Sequence, residues 1–234
     1  GLAHLPEQEL LVGIAHPMSD LVLYDYNTNT VAEVVPGIPW KLGNPLSREV
    51  IVAPSGNIYT YRGTEDLNHR YRSYNVWKYD AQTSELTETD FAITNGFWIG
   101  QATTSDGAMT YVTTASGQMY RFDTATETFT DLGYMLPEDE VLNGRRIQYQ
   151  YGPTFSPDES KIYYVVSTLE DWYGTGEMYV YDISTGVYSF VTQLPPGIYT
   201  SQNLQDDEYV YFAHFGTKQN LWSGRARLIA IDVP

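Results

Sequence analysis

The chain has 234 residues, and its 29 aspartates and glutamates outnumber 13 lysines and arginines to give a formal net charge of −16. This balance argues against nucleic acid as a partner, because phosphate neutralisation needs a basic surface. Cysteine is absent, which excludes disulfides and thiolate metal sites, and no apolar run approaches the roughly 18 residues of a spanning helix, so membrane insertion is not indicated.

A short phrase recurs along the chain: an aromatic residue, an aspartate, two variable residues and a threonine. Its copies lie at residues 24–28, 79–83, 122–126 and 181–185, with a degenerate fifth at Ile231-Asp232. The aspartates are 43 to 59 residues apart, which is the period of a four-stranded antiparallel sheet repeated in an array. Because an aspartate can accept backbone N–H groups two residues on, we interpret the phrase as a turn rather than as a repeated catalytic group.

The aspartate phrase closes the third strand of each predicted repeat, and a polar turn upstream joins the first strand to the second. These upstream turns lie at residues 6–8, 54–56, 105–107, 157–159 and 205–207. The second strands are predicted at 9–15, 57–62, 109–114, 161–167 and 209–215, and the third at 21–25, 75–80, 118–123, 177–182 and 227–232. The fourth strands are predicted at 30–35, 85–91, 128–132 and 187–192.

This pattern predicts an all-β fold, a single β-propeller domain over residues 1–234 with five blade repeats. The blades cover approximately residues 1–36, 46–93, 97–137, 145–195 and 198–234. The last blade has no fourth strand, which leaves two alternatives. The chain is either a closed ring of five blades, or part of a ring of six to eight blades whose remaining blades lie on another chain or segment.

Two segments carry a family resemblance, residues 117–126 (GQMYRFDTAT) and 155–164 (FSPDESKIYY). They resemble the blade consensus of bacterial kelch-like and lactonase-like propellers. Propeller polysaccharide lyases, including oligogalacturonate lyases, are similar in build. That similarity implies a site with histidine, tyrosine and arginine that acts on a uronic acid, although no diagnostic motif of those lyases occurs and no family residue is carried over.

In a propeller, the connections between second and third strands emerge on the same side as the crossovers between blades, and long loops on a rigid scaffold concentrate function. The second, fourth and fifth repeats have the longer connections. Eight of the 13 positively charged residues fall on this side: Lys41, Arg62, Arg70, Arg72, Arg145, Arg146, Lys218 and Arg225. The alternative is that these charges merely compensate an acidic rim.

We therefore predict that the loop-rich side binds an acidic polysaccharide or oligosaccharide. Guanidinium groups bind carboxylates bidentately, and aromatic rings stack against sugar faces. The predicted carboxylate-binding residues are Arg70, Arg72, Arg145 and Arg146, and the predicted stacking residues are Trp98, Trp172, Trp222 and Tyr199.

Three histidines, His16, His69 and His214, lie at or just past the end of a predicted second strand. An imidazole there suits β-elimination on a uronate, in which arginine neutralises the carboxylate and a base removes the neighbouring C–H proton. We expect His69 or His214 as the base and Tyr71 as the acid that protonates the leaving oxygen. The alternative is a non-catalytic scaffold that recognises a protein or a glycan.

No cofactor is predicted, although acidic runs at residues 138–140 and 206–208 leave calcium open as a ligand. The chain begins at Gly1 rather than at a methionine, which fits a removed signal peptide, a tag remnant or an excerpt of a longer chain. We expect a secreted or periplasmic bacterial protein.

Overall fold

A computed structural model describes residues 2–5, 8–15, 20–35, 49–63, 74–93, 98–114, 117–136, 152–167, 175–200, 204–215 and 226–233. These residues form 19 β-strands in five antiparallel sheets, and each sheet takes its strands in chain order. No helix in the described ranges is long and apolar enough to cross a membrane. The all-β prediction is therefore confirmed.

Sheets one and two each contain four strands, and their third strands end on an aspartate of the recurring phrase. Sheet one contains β1 (Leu2–Leu5), β2 (Leu10–Ala15), β3 (Asp20–Asp25) and β4 (Thr30–Val35). Sheet two contains β5 (Ile51–Val52), β6 (Ile58–Gly63), β7 (Tyr74–Asp80) and β8 (Glu85–Ile93).

Sheets three and four repeat this plan, whereas sheet five has three strands among the described residues. Sheet three contains β9 (Trp98–Thr103), β10 (Met109–Thr114), β11 (Gln118–Asp123) and β12 (Thr128–Tyr134). Sheet four contains β13 (Thr154–Phe155), β14 (Lys161–Ser167), β15 (Thr175–Asp182) and β16 (Val187–Pro196). Sheet five contains β17 (Ile198–Thr200), β18 (Tyr209–Phe215) and β19 (Ala226–Asp232).

The contacts divide the chain into two compact units. The first contains residues 1–98 together with the turn at 124–127, and its core joins apolar residues of sheets one and two, including Val12, Leu21 and Ile58. The second contains residues 99–123 and 128–234, and it has one core cluster between sheets three and four and another between sheets four and five.

The recurring aspartates cap the turns between third and fourth strands, as the sequence predicts. Asp25 Oδ1 accepts backbone N–H bonds from Asn27 at 2.8 Å and Thr28 at 3.0 Å. Asp80 Oδ1 does the same with Gln82 and Thr83, at 3.0 and 3.2 Å. Asp182 Oδ1 accepts the Ser184 hydroxyl and the Thr185 N–H at 2.7 and 2.9 Å, and these bonds lower the pKa of its carboxyl group.

The residue after the threonine of each phrase has a left-handed backbone, a feature that the sequence pattern did not predict. Its φ is 57° at Asn29, 57° at Ser84, 54° at Glu127 and 69° at Gly186. Only glycine adopts this conformation without steric cost, and asparagine tolerates it best among the others. The geometry of the turn therefore requires this conformation whatever residue stands there.

Glu127 uses this conformation to place its carboxylate in a polar pocket of the first unit. The carboxylate accepts hydrogen bonds from the hydroxyls of Ser55 and Tyr59 and from Asn57 Nδ2 at 2.9 Å, and Lys78 Nζ lies 3.5 Å away. Burial alone would raise the pKa of Glu127, but the bonds from Ser55, Tyr59 and Asn57 outweigh it and the pKa is lowered. Burial, together with the hydrogen bond to Glu127, raises the pKa of Tyr59.

Replacing Gly186 should isolate the backbone cost of the left-handed position, because a β-carbon there meets nothing closer than the Tyr181 hydroxyl at 3.6 Å. We expect G186A to lower the free energy of unfolding by about 1 kcal/mol and G186N by less. Chemical denaturation of both variants measures the difference. Equal losses for alanine and asparagine would contradict a left-handed requirement.

The pKa of Glu127 predicts how its contribution depends on pH. Since the folded pKa lies below the unfolded one, the stabilisation is complete above the unfolded pKa and is lost as pH falls through the folded pKa. We expect E127Q to be about 1–2 kcal/mol less stable than the wild type near neutral pH, with the gap closing in acid. Denaturation across pH measures the gap, and E85Q, which removes the same charge from an exposed position, is the control. A gap that does not vary with pH would contradict the assignment.

Candidate functional site

Most of the predicted site residues lie outside the described part of the chain. They are His16, His69, Arg70, Tyr71, Arg72, Arg145, Arg146, Trp172 and Trp222. Three predicted residues are described, namely Trp98, Tyr199 and His214.

Trp98 lies in the interior of the first unit. Its side chain has 0% exposure, and its ring centroid is 5.8 Å from that of Tyr61. Its indole Nε1 is buried, and no hydrogen-bond acceptor reaches it within the described ranges. The position is one of apolar packing, so a stacking role for Trp98 stays a prediction that would require its exposure.

Tyr199 and His214 form a stacked pair in sheet five. They are direct cross-strand partners on β17 and β18, with ring centroids 4.8 Å apart and ring planes inclined by 29°. Only 4% of Tyr199 and 6% of His214 is exposed. The Tyr199 hydroxyl donates to the carbonyl of Pro195, and burial raises its pKa to about 12, so the phenol stays protonated at neutral pH.

Two glycines make room for this pair. A β-carbon built on Gly176 would lie 2.8 Å from Cε2 of Tyr199, and one built on Gly197 would lie 2.1 Å from Nε2 of His214. Real β-carbons do not approach other atoms so closely, so any larger residue at either position would push a ring aside. The backbone of sheets four and five is therefore shaped around the Tyr199–His214 pair.

Arg227 of β19 completes a row with this pair. It lies directly opposite His214 in the regular β18–β19 register, so Tyr199, His214 and Arg227 follow one another across sheet five on one face. Directly opposite residues have Cβ atoms about 4.5–5.5 Å apart. We call Tyr199, His214 and Arg227 the sheet-five row.

The sheet-five row is the polar end of an otherwise apolar face. Because side chains alternate along a strand, His214 shares its face with Val210 and Phe212 of β18. Both of these residues pack in the core cluster between sheets four and five, and Ile229 and Ile231 of β19 pack against it. Arg227 precedes them on β19 and is exposed. The face thus changes from apolar to polar in the row next to the connection at residues 216–225.

The sequence interpretation missed Arg227 because it treated the residue only as part of a strand. The signal that could have found it is its position five residues before Asp232, which is the degenerate copy of the recurring aspartate. At that distance before the aspartate, each third strand is at or near its first residue, where the connection from the second strand ends.

The acidic run at 206–208 is engaged in turn structure. Asp206 Oδ1 accepts the N–H groups of Glu208 and Tyr209 at 3.0 and 2.8 Å, and Oδ2 accepts the hydroxyl of Tyr211. The described residues contain no group of three or more histidines, aspartates or glutamates placed to hold a metal ion. The run at 138–140 lies outside them.

Alanine at Gly197 should destabilise the fold because its methyl group would clash with the His214 imidazole. We expect G197A to cost about 1–3 kcal/mol more in unfolding free energy than G107A, since Gly107 also has a positive φ but open space around its α-carbon. Truncation of the imidazole in the double variant G197A/H214A should recover part of the loss. Denaturation of the wild type, G107A, G197A, H214A and G197A/H214A tests this, and strictly additive losses in the double variant would contradict the predicted clash.

No family model and no curated protein matches the sequence. Solved structures do match it. They include the dipeptidyl peptidase 4 of Porphyromonas gingivalis, with a TM-score of 0.54 and 12% identity over 99% of this chain and 38% of that one. An oligogalacturonate lyase in complex with manganese has a TM-score of 0.57 and 11% identity over 97% of this chain and 63% of that one.

A third match is a Bacteroides fragilis protein named as a candidate 6-phosphogluconolactonase, with a TM-score of 0.55 and 14% identity over 99% of this chain and 69% of that one. These are propeller-type proteins, and at such identities the likeness supports the β-propeller fold alone. The chain spans less than two thirds of the peptidase and of the lyase. The number of blades and the kelch-like assignment stay predictions.

Proposed function

We propose that this β-propeller binds an acidic carbohydrate at the strand ends that lead into its long connections. The observation that carries the proposal is the sheet-five row, in which an exposed guanidinium follows a stacked tyrosine and histidine. A guanidinium suits a carboxylate such as that of a uronic acid. The two rings beside it are buried and fix the strand pair from which the exposed Arg227 extends.

The neighbouring connection adds residues of the same chemistry. Residues 216–225 join β18 to β19 and contain Lys218, Trp222 and Arg225, the last only two residues before Arg227. In a chain of net charge −16, cations so close together in sequence favour an anionic ligand. The likeness to a lyase named for oligogalacturonate supports the same substrate class at the level of fold.

The environment of His214 favours a packing role over catalysis by this residue. A general base must present a ring nitrogen to the proton it removes, but the His214 ring is almost fully buried and its Nε2 faces Gly197. If the protein cleaves a uronate, the base of choice is then His69, with Tyr71 protonating the leaving oxygen and Arg70, Arg72 or Arg146 neutralising the carboxylate. A scaffold that binds without cleavage is the alternative.

Two wider expectations accompany this proposal. Export to the periplasm or the exterior would bring the protein to extracellular polysaccharides. Further blades on another chain or segment would supply the strand that β19 lacks, since β3, β7, β11 and β15 all pair with a fourth strand while β19 pairs with β18 alone in the described part.

The test is direct binding and turnover with polygalacturonate, alginate, ulvan and glycosaminoglycans. We expect saturable binding of at least one uronate polymer, weakened by salt as guanidinium–carboxylate contacts require. Ultraviolet absorbance of an unsaturated product reports β-elimination, and H69A should abolish it if cleavage occurs. Neutral dextran is the control polymer. Equal binding to dextran, or no binding to any uronate, would contradict the proposal.

A further inference from the structure

Arg227 occupies a position that carries no cation in the other four sheets. The residues five before the recurring aspartate are Asp20 in sheet one, Asn75 in sheet two, Gln118 in sheet three and Glu177 in sheet four. These are acids or amides, whereas sheet five has arginine. Since the strands are equivalent in order and direction, the difference lies in the side chain and not in the scaffold.

Two other described cations, Lys78 and Arg121, are engaged in internal contacts. Lys78 lies 3.4 Å from Asp80 and 3.5 Å from Glu127. Burial raises the pKa of Tyr111 and of Tyr181, and the nearby charge of Arg121 opposes that rise in both. These two residues stabilise the fold, so neither presents an open charge to a ligand.

Arg227 differs from Lys78 and Arg121. It is exposed, and no carboxylate of the described ranges forms an ion pair with it. Its neighbour across the strand pair is His214, which stacks on a tyrosine that stays protonated at neutral pH. The row therefore supplies one permanent positive charge with no internal counter-ion on the described strands.

We propose that Arg227 binds the carboxylate of a uronic-acid residue and sets the preference of the site for charged over neutral sugars. This inference rests on the proposed function and names a specificity residue for it. The planar guanidinium can form two parallel hydrogen bonds with one carboxylate, which a lysine cannot match. A neutral sugar with a hydroxymethyl group in place of the carboxylate loses both bonds.

The experiment compares uronate trisaccharides with their carboxyl-reduced counterparts. Trigalacturonate, trimannuronate and the reduced form of each are titrated by calorimetry into the wild type, R227Q and R227K. We expect the wild type to prefer an acidic trimer, and R227Q to lose about tenfold to a hundredfold in affinity for that trimer while its affinity for the reduced form is unchanged. The affinity of R227K should lie between those of the wild type and R227Q, because lysine keeps the positive charge but lacks the paired N–H donors of the guanidinium.

The matched control is K161Q, which removes one positive charge at the start of β14, the opposite end of its strand from the long connection. This control distinguishes loss of a direct contact from a change in net charge. Circular dichroism and unfolding midpoints establish that each variant folds. A loss in R227Q no greater than in K161Q, or an equal loss with the reduced trimer, overturns the role of Arg227 and leaves the proposed function standing. A wild type that binds neither acidic trimer overturns the role of Arg227. If it also binds none of the four uronate polymers, the proposed function is overturned as well.

Discussion

The register of sheets one, two and four depends on a carboxylate that holds the turn between the third and fourth strands. Asp25, Asp80 and Asp182 each accept hydrogen bonds from groups two and three residues further along the chain. Because side chains alternate along a strand, a slip of one residue would exchange the buried and exposed faces. Short local hydrogen bonds thereby determine which side chains reach the core and which face solvent.

The packing between sheets four and five joins an apolar core to the polar sheet-five row. Val210 and Phe212 supply apolar burial along β18, and His214 continues the same face where the strand approaches its connection. In the apolar part, other hydrophobic side chains of similar volume and shape would be tolerated. The polar end needs close fitting, which Gly176 and Gly197 provide by leaving room for the two rings.

The sequence predicted the strands well because their signals are local. The bounds of β10, β14 and β18 are those expected from alternating Val, Ile and Tyr residues between turns. The fourth strands β8, β12 and β16 extend further than predicted, since their later residues lack that composition. The left-handed positions at Ser84 and Glu127 carry no compositional signal, because neither residue type favours that backbone.

The candidate site was harder to predict because it depends on contacts between distant residues. Tyr199 and His214 were both identified from sequence, but nothing in their spacing showed that they stack. Trp98 was chosen as an aromatic near a crossover, and only packing distinguishes such a residue from a buried one. Arg227 became visible only when strand pairing placed it opposite His214.

The two glycines beside the stacked rings predict a constraint on the sequences of homologues. Relatives that retain the imidazole and the phenol must keep hydrogen as the side chain at Gly176 and Gly197, whereas relatives that have lost the pair are free to vary there. Joint retention or joint loss of these four positions would thus separate homologues that share only this architecture from those that also share the stacked pair and the ligand proposed for it.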